Sequence, residues 1–315
     1  MQGVVIREAA PADIPAVRRV LVDTWHATYD HLFGPERVTA ITDDWHAEDR
    51  LRQAIGRPGH RFLVAETEGL ILATASSTLG ANGRLRLDRL YVDPRVQGVG
   101  LGTGLLAAAV SNWPDLRLID LEVEPRNGPA IAFYRRHGFV PEGAPKSGCV
   151  QEHLIMHRHL PPPGFSIRPA EPGEAEPVLA VIRAAITGTN AADYPPEAID
   201  FMLAELSPAA ISAHLVQWDV WVVTDREGTI CGTGAFDGAR VRQLFVTPAM
   251  QGRRLGCVLM DAIERAALDA GLERLAVRSS VTAEPFYEAR GFTVLERFAW
   301  GPATMVAMER RLPAV

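Results

Sequence analysis

Cysteine is scarce in this chain: Cys149, Cys231 and Cys257 are the three present among 315 residues. An odd number with scattered spacing offers neither a disulfide framework nor a thiolate metal site. Reduced thiols of a cytoplasmic protein are the expected reading. Long apolar runs are missing too. None approaches 18 residues, which argues against a membrane span. The opening MQGVVIREAA lacks the charged and apolar regions of a secretory leader. Nor is there a basic block: 32 Lys+Arg stand against 38 Asp+Glu, a net charge of −6, so nucleic acid finds no electrostatic footprint. A mildly acidic surface is compatible with an amine partner, a weak signal alone.

What is present is an ordinary globular composition, 47% hydrophobic and 22% charged, at a length that suggests about two domains. The same pattern is also written twice. Residues 90–104 read LYVDPRVQGVGLGTG and residues 244–258 read LFVTPAMQGRRLGCV. Phe133-Tyr134 precedes Gly138-Phe139 as Phe286-Tyr287 precedes Gly291-Phe292, and IREAAPAD at 6–13 answers IRPAEPGE at 167–174. The offset drifts only from 161 to 153 residues. Pro161-Pro162-Pro163-Gly164 cannot continue a helix and reads as a stiff extended spacer. The expected domains are 1–160 and 165–315, in a monomer or a homodimer.

Apolar periodicity predicts, in copy one, a strand at VVIREA, a helix from Asp13 to Trp25, a helical region over 35–56 and a hairpin across Glu68-Gly69. The strand LRLDRLYV, a helix from Gly100 to Trp113 stopped by Pro114, the strand LRLIDLEV, a helix closed by Gly138 and two short strands follow. Copy two repeats the order, with polar helices within 195–217 and a hairpin across Glu227-Gly228. The fold class is α/β, a mixed sheet with helices on both faces in each copy.

A glycine-rich turn between strand and helix leaves backbone N–H groups unpaired at the positive end of the helix dipole, a cradle for a pyrophosphate. Gln97-Gly98-Val99-Gly100-Leu101-Gly102 is such a turn, a weak signal alone. Joined to the preceding Val-x-Pro strand and to Asn127-x-x-Ala130-x-x-Phe133-Tyr134-x-x-x-Gly138-Phe139, it resembles the GNAT superfamily of acetyl-CoA-dependent acyltransferases. The resemblance covers nearly all of each copy in element order. It implies a mostly antiparallel sheet splayed at the cofactor site, with acetyl-CoA as cofactor. The pantetheine arm would lie in the gap like an added strand. Leu90, Tyr91 and Val92 would pair with that arm, and Gln97, Gly98, Val99, Gly100, Leu101, Gly102 and Thr103 would hold the phosphates.

The same resemblance implies a hydroxyl at Tyr134 that protonates the departing thiolate, beside a core-filling Phe133. Asn127 is both a helix cap and a contact to the coenzyme arm. Glu122 shares a strand face with Asp120 and Glu124. A solvated edge is one reading. General base is the other, since Glu122 stands twelve residues before Tyr134, as in the ribosomal-protein N-acetyltransferase branch, and Asp88 is its rival. Trp25, His26, Tyr29 and His31 fall where the acceptor pocket varies in the family. His153, His157 and His159 share a strand face beside a proline linker, without carboxylates to orient them. They read as a surface strand, and no metal is expected.

Copy two departs in places. Its cofactor positions are Leu244, Phe245, Val246, Gln251, Gly252, Arg253, Arg254, Leu255, Gly256, Cys257 and Ser280. Arg254 stands for Gly100, Ser280 for Asn127 and Ala276 for Glu122. Tyr287 is retained, and Asp200, Glu205 and His214 are the available bases. Tyr194-Pro195-Pro196 with Ser280-x-x-Ala283-x-x-Phe286-Tyr287 resembles a bacterial GNAT subgroup. The implied activity is acetyl transfer to a primary amine of a small molecule or peptide by direct attack, with the N-terminal copy the expected catalyst. The alternatives are an acetyl-CoA sensor or scaffold without turnover, and an enzyme similar to mycothiol synthase, also a tandem of two such domains.

Overall fold

In the computed structural model, which describes residues 3–113, 115–142 and 153–313, both copies run through one series of elements. The first is β1 (Val5–Glu8), α1 (Ile14–Phe33), α2 (Pro35–Trp45), α3 (Glu48–Ala54), β2 (His60–Thr67), β3 (Leu70–Leu79), β4 (Arg84–Val92), α4 (Leu101–Val110), β5 (Leu118–Val123), α5 (Gly128–Arg136), β6 (Val140–Pro141) and β7 (Leu154–His159). The second is β8 (Ser166–Pro169), α6 (Ala175–Gly188), α7 (Pro196–Ala204), α8 (Pro208–Gln217), β9 (Asp219–Thr224), β10 (Ile230–Phe236), β11 (Arg240–Val246), α9 (Leu255–Asp269), β12 (Arg274–Ser280), α10 (Glu284–Ala289), β13 (Thr293–Trp300) and β14 (Ala303–Arg311). The strands make two seven-stranded mixed sheets. Cys149 and Pro114 lie outside the described residues.

By compactness the chain divides into Met1–Glu122 and Val123–Val315. This is not the division at the proline linker that the repeat suggests. The physical reason lies in the second unit, where α5, β6 and β7 are tied to α9 and β14. Arg135 pairs with Asp269 at 2.5 Å, the backbone N–H of His159 donates to Asp261 at 2.7 Å, and Arg310 donates to the Pro141 carbonyl at 3.0 Å. The linker is not an extended spacer either: the Phe165 N–H bonds the Pro162 carbonyl at 3.0 Å and closes a turn.

The first unit carries the strand order β1-β2-β3-β4-β5. Ile14, Val17, Val20 and Leu21 form a stripe on α1 that packs on Phe62, Val64 and Ile71. The helix is longer than its periodicity predicts and runs on through Tyr29 to Phe33. In the second unit the order is β8-β9-β10-β11-β12-β14-β13, and β6 pairs with β7 antiparallel. Helices α7 and α8 are not the polar helices expected there. They bury Ala198, Ile199, Met202 and Ile211 against α6. No single described helix is long and apolar enough to cross a membrane; α7 and α8 reach that length and composition only as a pair bent by 62°.

The repeated IR-x-A opening has a structural explanation. Arg7 binds Asp13 at 2.6 and 3.0 Å, and the same carboxylate accepts from the Ala10 N–H at 2.7 Å. Arg168 binds Glu174 at 2.5 and 2.8 Å, and Glu174 accepts from the Glu171 N–H at 2.7 Å. In each copy an arginine on the first strand fixes the acid that caps the turn into the first helix.

Candidate active site

Strand β4 is antiparallel to β3, but the register slips between Ser76 and Ser77 so that Asp88 forms a bulge. Its parallel ladder with β5 consists of Arg84, Leu85 and Arg86 opposite Leu118, Ile119 and Asp120. Beyond them Leu90, Tyr91 and Val92 continue pairing with β3 alone. The second copy opens in the same way. Strand β11 slips against β10 between Thr233 and Ala235, and its parallel ladder with β12 is Arg240 and Val241 opposite Ala276 and Val277. Leu244, Phe245 and Val246 are therefore left with one strand-bonded edge, as the expected splay requires.

At the end of each opened strand the repeated glutamine acts as a strap. Gln97 donates to the Val92 carbonyl at 3.1 Å, and Gln251 to the Val246 carbonyl at 3.2 Å. The glycine turn follows. Gly98 and Gly100 take φ of 80° and 93°, and Gly252 and Arg254 take 73° and 63°. Arg254 thus holds a left-handed conformation that costs an L-residue about 1 kcal/mol. No side chain caps the N-terminus of α4 or α9. A Cβ added at Gly98, Gly100 or Gly252 would meet nothing within 4 Å. Open approach to uncapped amides at two helix N-termini fits a pyrophosphate.

In the second unit these features converge. A cavity of about 950 Å³ is lined by Leu244, Phe245 and Val246 of the opened strand, by the turn from Gln251 to Cys257, and by Tyr287. Tyr287 is held by its surroundings. The Phe292 N–H reaches back to the Tyr287 carbonyl at 3.0 Å, Gly291 supplies φ 81° for that helix end, and the Phe292 ring packs 5.4 Å from the tyrosine ring. Burial raises the Tyr287 pKa above that of an ordinary phenol, so the hydroxyl keeps its proton at neutral pH. Ser280 accepts from the Ala283 N–H at 3.2 Å and closes the turn into α10.

The far wall is built by the early helices and a late strand, the parts the sequence left least patterned: Ile182, Ile186, Met202, Leu206, Trp218 and Trp300. Of the three bases offered by the sequence, Glu205 and His214 line the cavity and Asp200 is not among its lining residues. The Gln243 amide Nε2 donates to His214 Nδ1 at 2.9 Å, and the His214 ring stacks on Trp218 at 3.8 Å; burial and then the nearby Arg242 lower its pKa. Tyr194 of the Tyr-Pro-Pro stretch donates to the Thr304 carbonyl at 2.5 Å and accepts from the Val281 N–H at 2.9 Å. The sequence did not signal Arg278, which reaches the cavity from β12.

The corresponding residues of copy one are placed as follows. Glu122, at the end of the first unit, is paired with Arg86 at 2.8 Å, and its rival Asp88 accepts from Thr78 at 2.6 Å. Asp120 does not share their exposure; it is buried and pairs with Arg84 at 2.8 Å. Trp25 and Tyr29 gather with His46 and Tyr91, while His26 pairs with Asp30 at 2.8 Å. In the second unit, Asn127 caps α5 by accepting from the Ala130 N–H at 3.2 Å. Tyr134 is buried with its ring 5.6 Å from Phe139, whose N–H bonds the Tyr134 carbonyl at 3.0 Å.

One expectation is overturned. His157 and His159 are not on a solvent-facing strand without carboxylates. His157 is buried, His159 half-buried, and both face Asp261 on α9, with ligand-type atoms within 4.8 Å of one another. That carboxylate is already occupied: it accepts from the His159 N–H, from His159 Nδ1 at 3.0 Å and from Arg290 at 2.8 Å.

Comparison with known proteins agrees with this geometry. The acetyltransferase (GNAT) family model matches residues 19–139, and the acetyltransferase (GNAT) domain model matches residues 190–309. The chain belongs to the GNAT acetyltransferase family. It is a tandem acyltransferase, with one match in each copy. A probable N-acetyltransferase of Mycobacterium tuberculosis is 27% identical over 168 residues, covering 50% of this chain and 95% of the relative. A mycothiol acetyltransferase of a Nocardioides species is 32% identical over 214 residues, 60% of this chain and 66% of the relative. Among solved structures, the PaiA N-acetyltransferase of Thermoplasma acidophilum in complex with coenzyme A is 21% identical at a TM-score of 0.47, covering 50% of this chain and all of that one.

Proposed function

We propose that the chain is an acetyl-CoA-dependent N-acetyltransferase with a working site in the C-terminal copy as well as the N-terminal one, on domains 1–160 and 165–315. The proposed acceptor is a primary amine with an apolar body and a carboxylate. The observation that carries this reading is the cavity of about 950 Å³ that joins the opened strand, the phosphate-type turn and a buried tyrosine. When bound, acetyl-CoA supplies an acetyl group on an activated thioester. The amides from Gly252 to Gly256 hold phosphate oxygens, and the free edge of Leu244 to Val246 orients an extended arm. Tyr287 Oη holds a proton beside that strand for a leaving group. The sequence put the catalytic weight on copy one because Ala276 offers no carboxylate where Glu122 stands. Glu205 answers that objection. His214, kept neutral by its lowered pKa, has Nδ1 occupied by the Gln243 amide, which leaves Glu205 on the cavity wall to accept a proton from the acceptor's ammonium.

The acceptor class follows from the wall. Glu205 is the sole carboxylate among the lining residues, against Arg242, Arg254 and Arg278. Arg242 is held by Asp237 at 2.6 Å, whereas Arg278 lies 5.6 Å over the Phe298 ring and is free to meet a carboxylate. A polyamine would set extra positive charge against these arginines. Release of free thiol, followed across apolar L-amino acids, simple amines and spermidine, tests the assignment. Apolar amino acids should exceed spermidine in kcat/KM by roughly tenfold or more, about 1.4 kcal/mol. A preference for spermidine would contradict it.

A further inference from the structure

A second pocket, of about 430 Å³, shares no lining residue with the acyl-transfer cavity. All of its lining lies in the second compact unit, from the end of α5, from β7 and the linker after it, from β8, from β9 and from α9. Its charge is one-sided. Arg136, Arg158, Arg168, Arg265, His137 and His159 line it, with Asp261 as the one carboxylate.

Two of these charges are accounted for within the protein. Asp261 is taken up by Arg290 and His159, and Arg168 is bound in bidentate fashion by Glu174. Arg158 and Arg265 have no hydrogen-bond or ion-pair partner among the described residues, yet they converge. A Cβ built on Gly138 would lie 3.2 Å from Arg265 Nη1 and 3.4 Å from Arg158 Nε, so both guanidinium groups flank one point. Burial, and then Arg265 beside it, lowers the Arg158 pKa against the opposing pull of Asp261. Two half-buried cations side by side, whose one nearby carboxylate, Asp261, is already shared with Arg290 and His159, are costly unless a further anion fills the space between them. The guanidinium fork is the side-chain group best matched to phosphate oxygens. Ile167, Trp221, Val258 and Ala262 supply an apolar wall, and the volume falls within the range of roughly 300–1,000 Å³ typical of small-molecule sites.

We propose that this pocket is a second ligand site, which takes a phosphate-bearing small molecule between Arg158 and Arg265 with its organic body against Trp221. It stands apart from the acetyl-CoA turns and does not depend on which copy turns over.

The test is calorimetric titration of the full chain with inorganic phosphate and with pyrophosphate, at fixed ionic strength, with and without saturating coenzyme A. Saturable phosphate binding should persist when coenzyme A is present. Arg158→Gln and Arg265→Gln should each weaken it by roughly tenfold or more. Because these arginines repel each other, unliganded Arg265→Gln should melt no lower than the parent. Loss of phosphate binding when coenzyme A is added would assign the signal to the coenzyme turns and overturn the proposal. So would parent-like binding by both variants, or a lowered melting temperature in Arg265→Gln, which would make that arginine a structural contact. The variants separate the pocket from the glycine turns even if coenzyme A fails to bind.

Discussion

Arg254 and Gly100 hold the same left-handed backbone at φ 63° and 93°, yet only one of them is a residue suited to it. The strain at Arg254 falls in the turn proposed above to hold phosphate, and on that proposal the position trades local stability for charge. A second residue trades solvation for packing. His46 is buried at 3% exposure against Trp25 and Tyr91, and burial, followed by the charge of Arg89, pushes its pKa down to about 4. An unfolded histidine titrates near 6.5. Between these values the unfolded chain binds the extra proton. The stabilising contribution is therefore complete above about pH 6.5 and is lost as pH falls towards 4, roughly 3 kcal/mol over the whole window. Denaturant unfolding of the parent and of His46→Leu from pH 7.5 to 4 measures it. The parent should lose more stability than the variant, and parallel profiles would show that His46 is not the group responsible.

Among the elements, the ones legible in the sequence were those whose chemistry is local. Both hairpins, the strand-turn-helix units and the tyrosine helices closed by Gly138 and Gly291 follow from turn residues and apolar period. The splay was legible only through family resemblance, because a bulge at Asp88 or beside Gln243 leaves no mark in composition. The burial of α7 and α8, the turn in the proline linker and the pairing of His157 and His159 with Asp261 were not legible. The first and the last depend on partners outside their own segment, with Asp261 more than a hundred residues from His159, whereas the linker turn is local and was masked by the stiffness expected of three prolines. The acceptor wall was missed because its residues are distant in sequence: Arg278 comes from β12, Trp218 from the junction of α8 and β9, and Trp300 from the end of β13. Ser280, one of the expected cofactor contacts, is also the acceptor that closes the turn into α10. If that is its main work, Ser280→Ala should lower stability by about 1 kcal/mol and leave the KM for acetyl-CoA unchanged. A raised KM at unchanged stability would make Ser280 a ligand contact instead.

At the scale of the whole chain, the repeat has kept two opened strands, two glutamine straps and two buried tyrosines while the carboxylates around them diverged. Glu122 is engaged by Arg86, whereas the second copy presents Glu205 and His214 on a cavity wall. Duplication followed by divergence of the acceptor side, with the cofactor side retained, is consistent with two sites that differ in what they acetylate. The most direct measurement is steady-state acetyl transfer to an apolar amino acid by the parent, by Tyr134→Phe and by Tyr287→Phe, alongside calorimetric coenzyme binding. Tyr287→Phe should lower kcat on that acceptor roughly 10²-fold with coenzyme affinity little changed, and Tyr134→Phe should leave it near the parent value. Loss confined to Tyr134→Phe, or coenzyme binding without turnover of any amine by the parent, would contradict a working C-terminal site.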